Sequence, residues 1–190
     1  MKSVLISIQP KWCELIACLQ KKVEVRKTKP KIDVPFKCYI YQTKLKWVFD
    51  LLRKMGLSDL ANKLALGKGK VIGEYMCNRI DEVYQCNSGW VEENACVSRH
   101  EFFDYLGIPQ GTHLGYDKKA YAWHISNLVI YDKPKKLSEF ITPTACESEV
   151  AKKMMCNTCC LSAEFCSKKP KRIIRPPQSW CYVEELKGEI

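Results

Sequence analysis

The chain has 190 residues, 46% hydrophobic and 27% charged, which excludes a largely disordered polymer and fits one domain with room for an insertion. Apolar runs such as Val4-Leu5-Ile6 are too short for a transmembrane helix, and Gln9, Pro10 and Lys11 arrive too soon for a signal-peptide core. An intracellular, cytoplasmic protein without membrane attachment is expected, and a net charge of +10 with a pI of about 9.0 points to a polyanionic partner such as nucleic acid. Small basic proteins can also be merely soluble. The charge is uneven, however: residues 1–31 hold eight Lys/Arg against two Glu, residues 168–175 hold five Lys/Arg and no acid, and residues 78–104 hold two Arg against six acids. A basic front and an acidic back would orient a polyanion.

Residues 3–8 read as a strand. Pro10 then opens an amphipathic helix over 10–20, on which Trp12, Leu15, Ile16 and Leu19 recur at helical spacing. Val23 and Val25 alternate with Lys22, Glu24 and Arg26, which predicts a second strand with one charged face. A third strand is expected at 36–43, a helical insertion at 45–66, a basic turn at Gly67-Lys68-Gly69-Lys70 and a long strand at 70–84. Ser98 with Glu101 forms a capping box that starts a short helix ending at Gly107. Residues 119–131 are the most strand-like run, and Trp180-Cys181-Tyr182-Val183 a closing strand. Five or six strands with few, unevenly spaced helices predict an α+β domain built on a small closed barrel.

Of the 12 Cys, six are scattered between Cys13 and Cys96 and read as small core residues or free thiols. The other six fall in the last 45 residues, five of them in a Cys- and Lys-rich insertion at 142–172. Cys156-Asn157-Thr158-Cys159 is a Cys-x-x-Cys knuckle, with Cys166 and Cys146 near enough in sequence to complete four thiolates. A structural Zn²⁺ on these four would order a segment poor in apolar residues. Free thiols and a redox pair are the rival readings.

The run Lys21-Lys22-Val23-Glu24-Val25-Arg26, directly after the first helix, resembles the signature of the ASCH family within the PUA-like superfamily. That pattern is Gly-x-Lys-x-x-Glu-x-Arg; Lys21, Glu24 and Arg26 match, and Leu19 stands where Gly is usual. Ser7-Ile8-Gln9-Pro10-Lys11-Trp12, Gly69 to Glu74, Tyr121 to Ile125 and Arg175-Pro176-Pro177-Gln178-Ser179-Trp180 fit the same layout, which is similar to small ASCH proteins of phages and their hosts. The resemblance implies a PUA-like β-barrel over a single domain, residues 1–190, with the two insertions outside the match. It also implies a cleft for RNA or a nucleobase. Members include RNA-binding modules, at least one ribonuclease, and amidohydrolases that deacetylate 4-acetylcytidine with a Lys, a Thr and a Glu. Lys21 is in place here, whereas Glu24 occupies the Thr position.

The residue types suit such a ligand on chemical grounds as well. Glu24 and Arg26 are two apart on a strand and share a face. The carboxylate can accept from an exocyclic amine, and the guanidinium can hold a phosphate or a base carbonyl. The bland alternative is a surface row of ion pairs, Lys22 with Glu24 and Arg26, worth little. Trp12, Trp123 and Trp180 can supply stacking walls, although Trp12 and Trp123 also fit core patterns; Gln178 can read a base edge beside Trp180. His124, on the face opposite Trp123, is either a general base or a satisfied structural histidine. The expected function is an RNA- or nucleotide-binding module using Lys21, Glu24 and Arg26. A hydrolase of the same fold, with Lys21, Glu24 and His124 in acid–base roles, is the alternative. A nucleotide-sequestering or protein-interaction factor in phage–host conflict is a third.

Overall fold

The computed structural model describes residues 2–44, 56, 68–84, 89–108, 119–143 and 170–186. Strand β1 (Lys2–Ile8) leads into helix α1 (Pro10–Ala17), where Pro10 occupies the first turn and its missing N–H costs nothing. The helix stops short of its expected end at residue 20: Cys18 caps it, and Leu19 follows with a φ of +60°. Then come β2 (Val23–Arg26), β3 (Phe36–Gln42), β4 (Val71–Val83), α2 (Gly89–Ala95), α3 (Arg99–Leu106), β5 (Ala120–Lys135), a 3-10 turn (Leu137–Glu139) and β6 (Trp180–Glu184). Helix α3 begins at the capping box: the Ser98 hydroxyl accepts from the Glu101 N–H, and the Glu101 carboxylate accepts from the Ser98 N–H. It ends at Gly107, whose φ of +68° suits a residue without a Cβ. Helix α2 has no counterpart in the sequence reading.

The strands form one mixed sheet in the order β2-β5-β4-β3-β1-β6. Strand β1 runs parallel to β3 and every other neighbouring pair is antiparallel. Register shifts between β4 and β5 mark bulges, which bend a sheet and add twist. The expected barrel is not closed by backbone hydrogen bonds. Among the described residues no backbone ladder joins the edge strands β2 and β6. Side chains span the gap instead. Arg26 of β2 donates to the Ser7 carbonyl of β1 at 2.6 Å and to the Ser179 hydroxyl, just before β6, at 3.3 Å. The Trp180 indole N–H donates to Thr28 at 3.1 Å, and the Lys31 N–H to the Tyr182 hydroxyl at 2.6 Å. A gap that admits a guanidinium is wider than the ~4.8 Å that ladder pairing needs.

The curled sheet separates three apolar clusters. The interior holds Val4, Ile6, Ile8, Phe36, Ile40 and Trp123, plugged by Cys13 and Ile16 of α1. Outside β2 and β5, Val23, Val25 and Ala122 pack against Val91, Ala95, Phe102 and Leu106 of α2 and α3. Outside β1 and β3, Leu5, Tyr39 and Val183 pack against Phe140 and Ile173. Strand β2 is therefore covered on both faces, and Glu24 and Arg26 look inward where Val23 and Val25 look out.

Apart from Gly56, the expected helical insertion at 45–66 lies outside the described residues, and so does most of 142–172, with Cys146, Cys156, Cys159 and Cys166. The two ends of that stretch meet. The Thr142 N–H donates to the Lys171 carbonyl at 2.8 Å, the Lys171 N–H to the Thr142 hydroxyl at 2.9 Å, and Ile141 bridges Arg172. Cys13, Cys38 and Cys77 are buried free thiols. No helix among the described residues is long and apolar enough to cross a membrane.

Candidate functional site

The inward face of β2 and the turn before it carry three ionic side chains that are almost entirely buried. Lys21, Glu24 and Arg26 retain only 3%, 6% and 7% of their exposure. This burial replaces the surface row of Lys22, Glu24 and Arg26: Lys22 is exposed and turns away, and Glu24 pairs with Lys21 instead. Glu24 Oε1 lies 2.9 Å from Arg26 Nη2, and Glu24 Oε2 lies 3.4 Å from Lys21 Nζ. Lys21 Nζ also donates to the Ala95 carbonyl at 2.8 Å, at the end of α2, where a helix carries partial negative charge.

A buried ion pair survives only when desolvation is offset by several good contacts. Lys21 and Arg26 are anchored in this way, but the set is incomplete. Among the described residues Glu24 Oε2, its 3.4 Å ion pair with Lys21 aside, and Arg26 Nε are buried without a hydrogen-bond partner. Buried polar groups are normally satisfied, and these two atoms depart from that rule. The three groups together carry one net positive charge.

These side chains form part of the wall of a cavity of about 1020 Å³. Trp12, Tyr41, Phe102 and Tyr105 give it aromatic surface, and Pro176, Pro177 and Gln178 line it from the segment before β6. Ser7 ties that segment down: its N–H donates to the Ser179 carbonyl at 2.9 Å and its hydroxyl to the Pro177 carbonyl at 2.6 Å. The half-buried Trp12 ring has Lys11 Nζ 4.3 Å and Lys21 Nζ 5.0 Å from its centroid. The acids Glu101 and Asp104 also line the cavity, and both are engaged: Glu101 with Lys11 at 2.8 Å, Asp104 with His100 at 3.2 Å. Burial pushes the Tyr105 phenol above its ordinary range, with Arg26 pulling the other way. Burial and then Glu24 push the Cys13 thiol well up, so it stays a neutral core group.

Of the sequence candidates, Lys21, Glu24, Arg26, Trp12 and Gln178 thus meet at one cavity. Trp123 is fully buried in the interior cluster, opposite Glu24 in the β2–β5 register. Trp180 leans on Trp123 at 5.9 Å and on Tyr182, at the seam between the sheet edges. Neither indole lines the cavity. His124 pairs with Val23 in register and so faces away from Glu24; its Nε2 is 2.8 Å from Asp81 Oδ2. The structure therefore does not bring it to Lys21 and Glu24. Sequence reasoning missed Tyr41, Phe102 and Tyr105. Helical spacing puts Phe102 and Tyr105 on one face of α3, but nothing local says which cavity that face meets. Among the described residues no group of three or more His, Cys, Asp or Glu is placed to hold a metal.

No protein-family model matches this chain, and no curated protein is significantly similar to it. Solved structures do share its fold. The ASCH protein of Zymomonas mobilis superposes with a TM-score of 0.50 at 19% identity, covering 96% of this chain and 88% of that one. A Ser-to-Ala mutant of the same protein gives a TM-score of 0.54 at 18% identity, covering 96% and 89%. The architecture is the ASCH fold over nearly the whole chain.

Proposed function

We propose, from its ASCH fold, that this chain is an RNA- or nucleotide-binding module that seats one nucleobase in the cavity beside β2. PUA-like folds of this kind are often RNA-binding. The observation that carries the reading is the buried Lys21–Glu24–Arg26 set, in which Glu24 Oε2 and Arg26 Nε have no hydrogen-bond partner among the described residues. A base edge offers the same alternation of N–H and carbonyl or ring nitrogen, so one heterocycle satisfies both atoms. Trp12 and Tyr105 supply aromatic surface for its flat faces. The basic stretches at 1–31 and 168–175 supply charge for the flanking phosphates.

The test is a fluorescence-anisotropy titration with labelled single-stranded RNA, with free nucleotides as competitors. Glu24→Gln keeps the shape of the side chain and replaces one acceptor oxygen by a donor, so it should weaken binding by about tenfold or more. Wild-type affinity for every nucleotide and oligonucleotide in this variant would reject the reading. Conversion of the probe during the titration would replace it by the hydrolase reading.

The thiolate set Cys146, Cys156, Cys159 and Cys166 is a separate proposal that rests on sequence spacing. One zinc per chain by elemental analysis is the expected result. A Cys156–Cys159 disulfide in the purified protein would reject it.

A further inference from the structure

A second hollow, of about 560 Å³, lies where the start of β2 meets β5 and α2. Lys22, Arg79, Trp90, Asn94 and His124 line it. Among the described residues the ionisable groups that line it are a lysine, an arginine and a histidine. Asp81, which does not line the hollow, has both oxygens engaged by residues that do. Oδ1 accepts from Arg79 Nε at 2.7 Å, and Oδ2 lies 2.7 Å from Arg79 Nη2 and 2.8 Å from His124 Nε2. Burial pushes the Asp81 carboxyl up, but the hydrogen bonds from Arg79 and His124 outweigh it and hold it below the usual range.

The carboxylate therefore orients two cation-type side chains by their inner edges. The side-on pair takes up Arg79 Nε and one face of Nη2, which leaves Nη1 directed elsewhere on a guanidinium that is 67% exposed. The His124 ring lies against the Trp90 indole, with centroids 5.9 Å apart and planes 17° from parallel. The Asn94 side-chain amide donates to the Trp90 carbonyl at 2.7 Å, and the Asn94 carbonyl accepts from the Lys22 N–H at 2.7 Å. Lys22 is thereby fixed at its backbone while its ammonium stays exposed. A preset guanidinium, a free ammonium and a stacked imidazole–indole wall make a polar hollow with anion-binding chemistry.

We infer that this hollow is a second binding site, specific for a phosphate group, in which Lys22 and Arg79 are the anion ligands and the His124–Trp90 stack forms the wall. It uses none of the side chains of the β2 cavity. Consecutive residues serve the two places: Lys21 turns into the cavity and Lys22 into the hollow. The phosphate can belong to a free nucleotide or to a strand, and the chemistry that recognises it is the same.

The experiment is a titration of the ¹⁵N-labelled full chain with inorganic phosphate, then uridine 5′-monophosphate, then hexauridylate, each against chloride of equal ionic strength. Phosphate should move the resonances of Lys22, Trp90, Asn94 and His124, and chloride should not. Lys22→Ala, which removes an exposed side chain, should weaken phosphate binding at those resonances about tenfold, and Arg79→Gln should do at least as much. Glu24→Gln should leave them unchanged, so this result stands or falls apart from the cavity reading. Tighter binding of hexauridylate than of the monophosphate assigns the site to a strand, and the reverse order assigns it to a free nucleotide. Equal shifts with chloride, or wild-type phosphate affinity in both Lys22→Ala and Arg79→Gln, would overturn the proposal.

Discussion

Arg26 divides its guanidinium among Glu24, the Ser7 carbonyl and the Ser179 hydroxyl, so one side chain serves both the cavity and the seam of the sheet. Truncating it would strand the Glu24 carboxylate in a buried site with Lys21 alone. Arg26→Ala should therefore cost about 3–5 kcal/mol in denaturant unfolding, the usual penalty for breaking a buried pair. Glu24→Gln also removes a charge from the buried set but keeps the side chain's shape and one acceptor oxygen, so its unfolding curve is measured beside its binding curve. The alternation of Val23, Glu24, Val25 and Arg26 made the shared face of the two ionic groups readable from sequence. Their burial was not readable, because alternation tells which side a residue takes and not what covers that side. Leu19 is the converse case. It stands where the ASCH pattern has glycine, and the backbone there has a φ of +60° while the side chain is 69% exposed. A left-handed residue with a Cβ costs about 1–2 kcal/mol, and glycine's looser unfolded chain gives back up to about 1 kcal/mol of that. Leu19→Gly should raise stability by a few tenths to about 1 kcal/mol, readable as a higher melting temperature.

Helix α3 shows what local sequence can specify. Its first turn is fixed by Ser98 and Glu101, its last by Gly107, and all three signals were legible. The same Glu101 reaches across to Lys11 of α1, a contact 90 residues distant in the chain that no local pattern announces. The Lys11 ammonium and then the Ser98 N–H hold the Glu101 carboxyl down at about 2, from an ordinary 4.5. A depressed folded value means the contact contributes fully above pH 4.5 and is lost as the pH falls toward 2. Glu101→Gln should flatten the pH dependence of stability across that window, as followed by urea midpoints. Ser98→Ala should cost about 1 kcal/mol through the lost cap. Helix α2 escaped notice because a seven-residue helix with only Val91 and Ala95 buried has almost no period to read. It is nonetheless the element whose last carbonyl holds Lys21.

For the whole molecule, the six strands and their approximate limits were visible in sequence, but the closure of the sheet was not. Strand patterns specify edges and faces. Whether the two edges meet depends on the accumulated twist and bulges of β4 and β5, a property of the assembled sheet. The charge balance belongs to this scale as well. A net +10, with eight Lys/Arg in residues 1–31, should make RNA binding steeply salt-dependent. Six phosphate contacts on a single strand would give a slope of log K against log salt of about −4. A slope near zero across 50–300 mM salt, on the order of the usual working range, would mean that the basic residues do not meet phosphates.

The paired ends of the Cys-rich stretch have an engineering consequence. Thr142 and Lys171 hold each other by two hydrogen bonds, and the Ile141–Arg172 bridge lies next to them. Chain entering and leaving this neck is already at turn distance. Replacing residues 143–170 by a short glycine-containing turn should yield a shortened chain that keeps the circular-dichroism spectrum of the sheet, since loop closure grows cheaper as the loop shrinks. The neck then becomes a grafting port, where a foreign peptide or reporter could be displayed beside the segment that carries Pro176, Pro177 and Gln178 to the cavity.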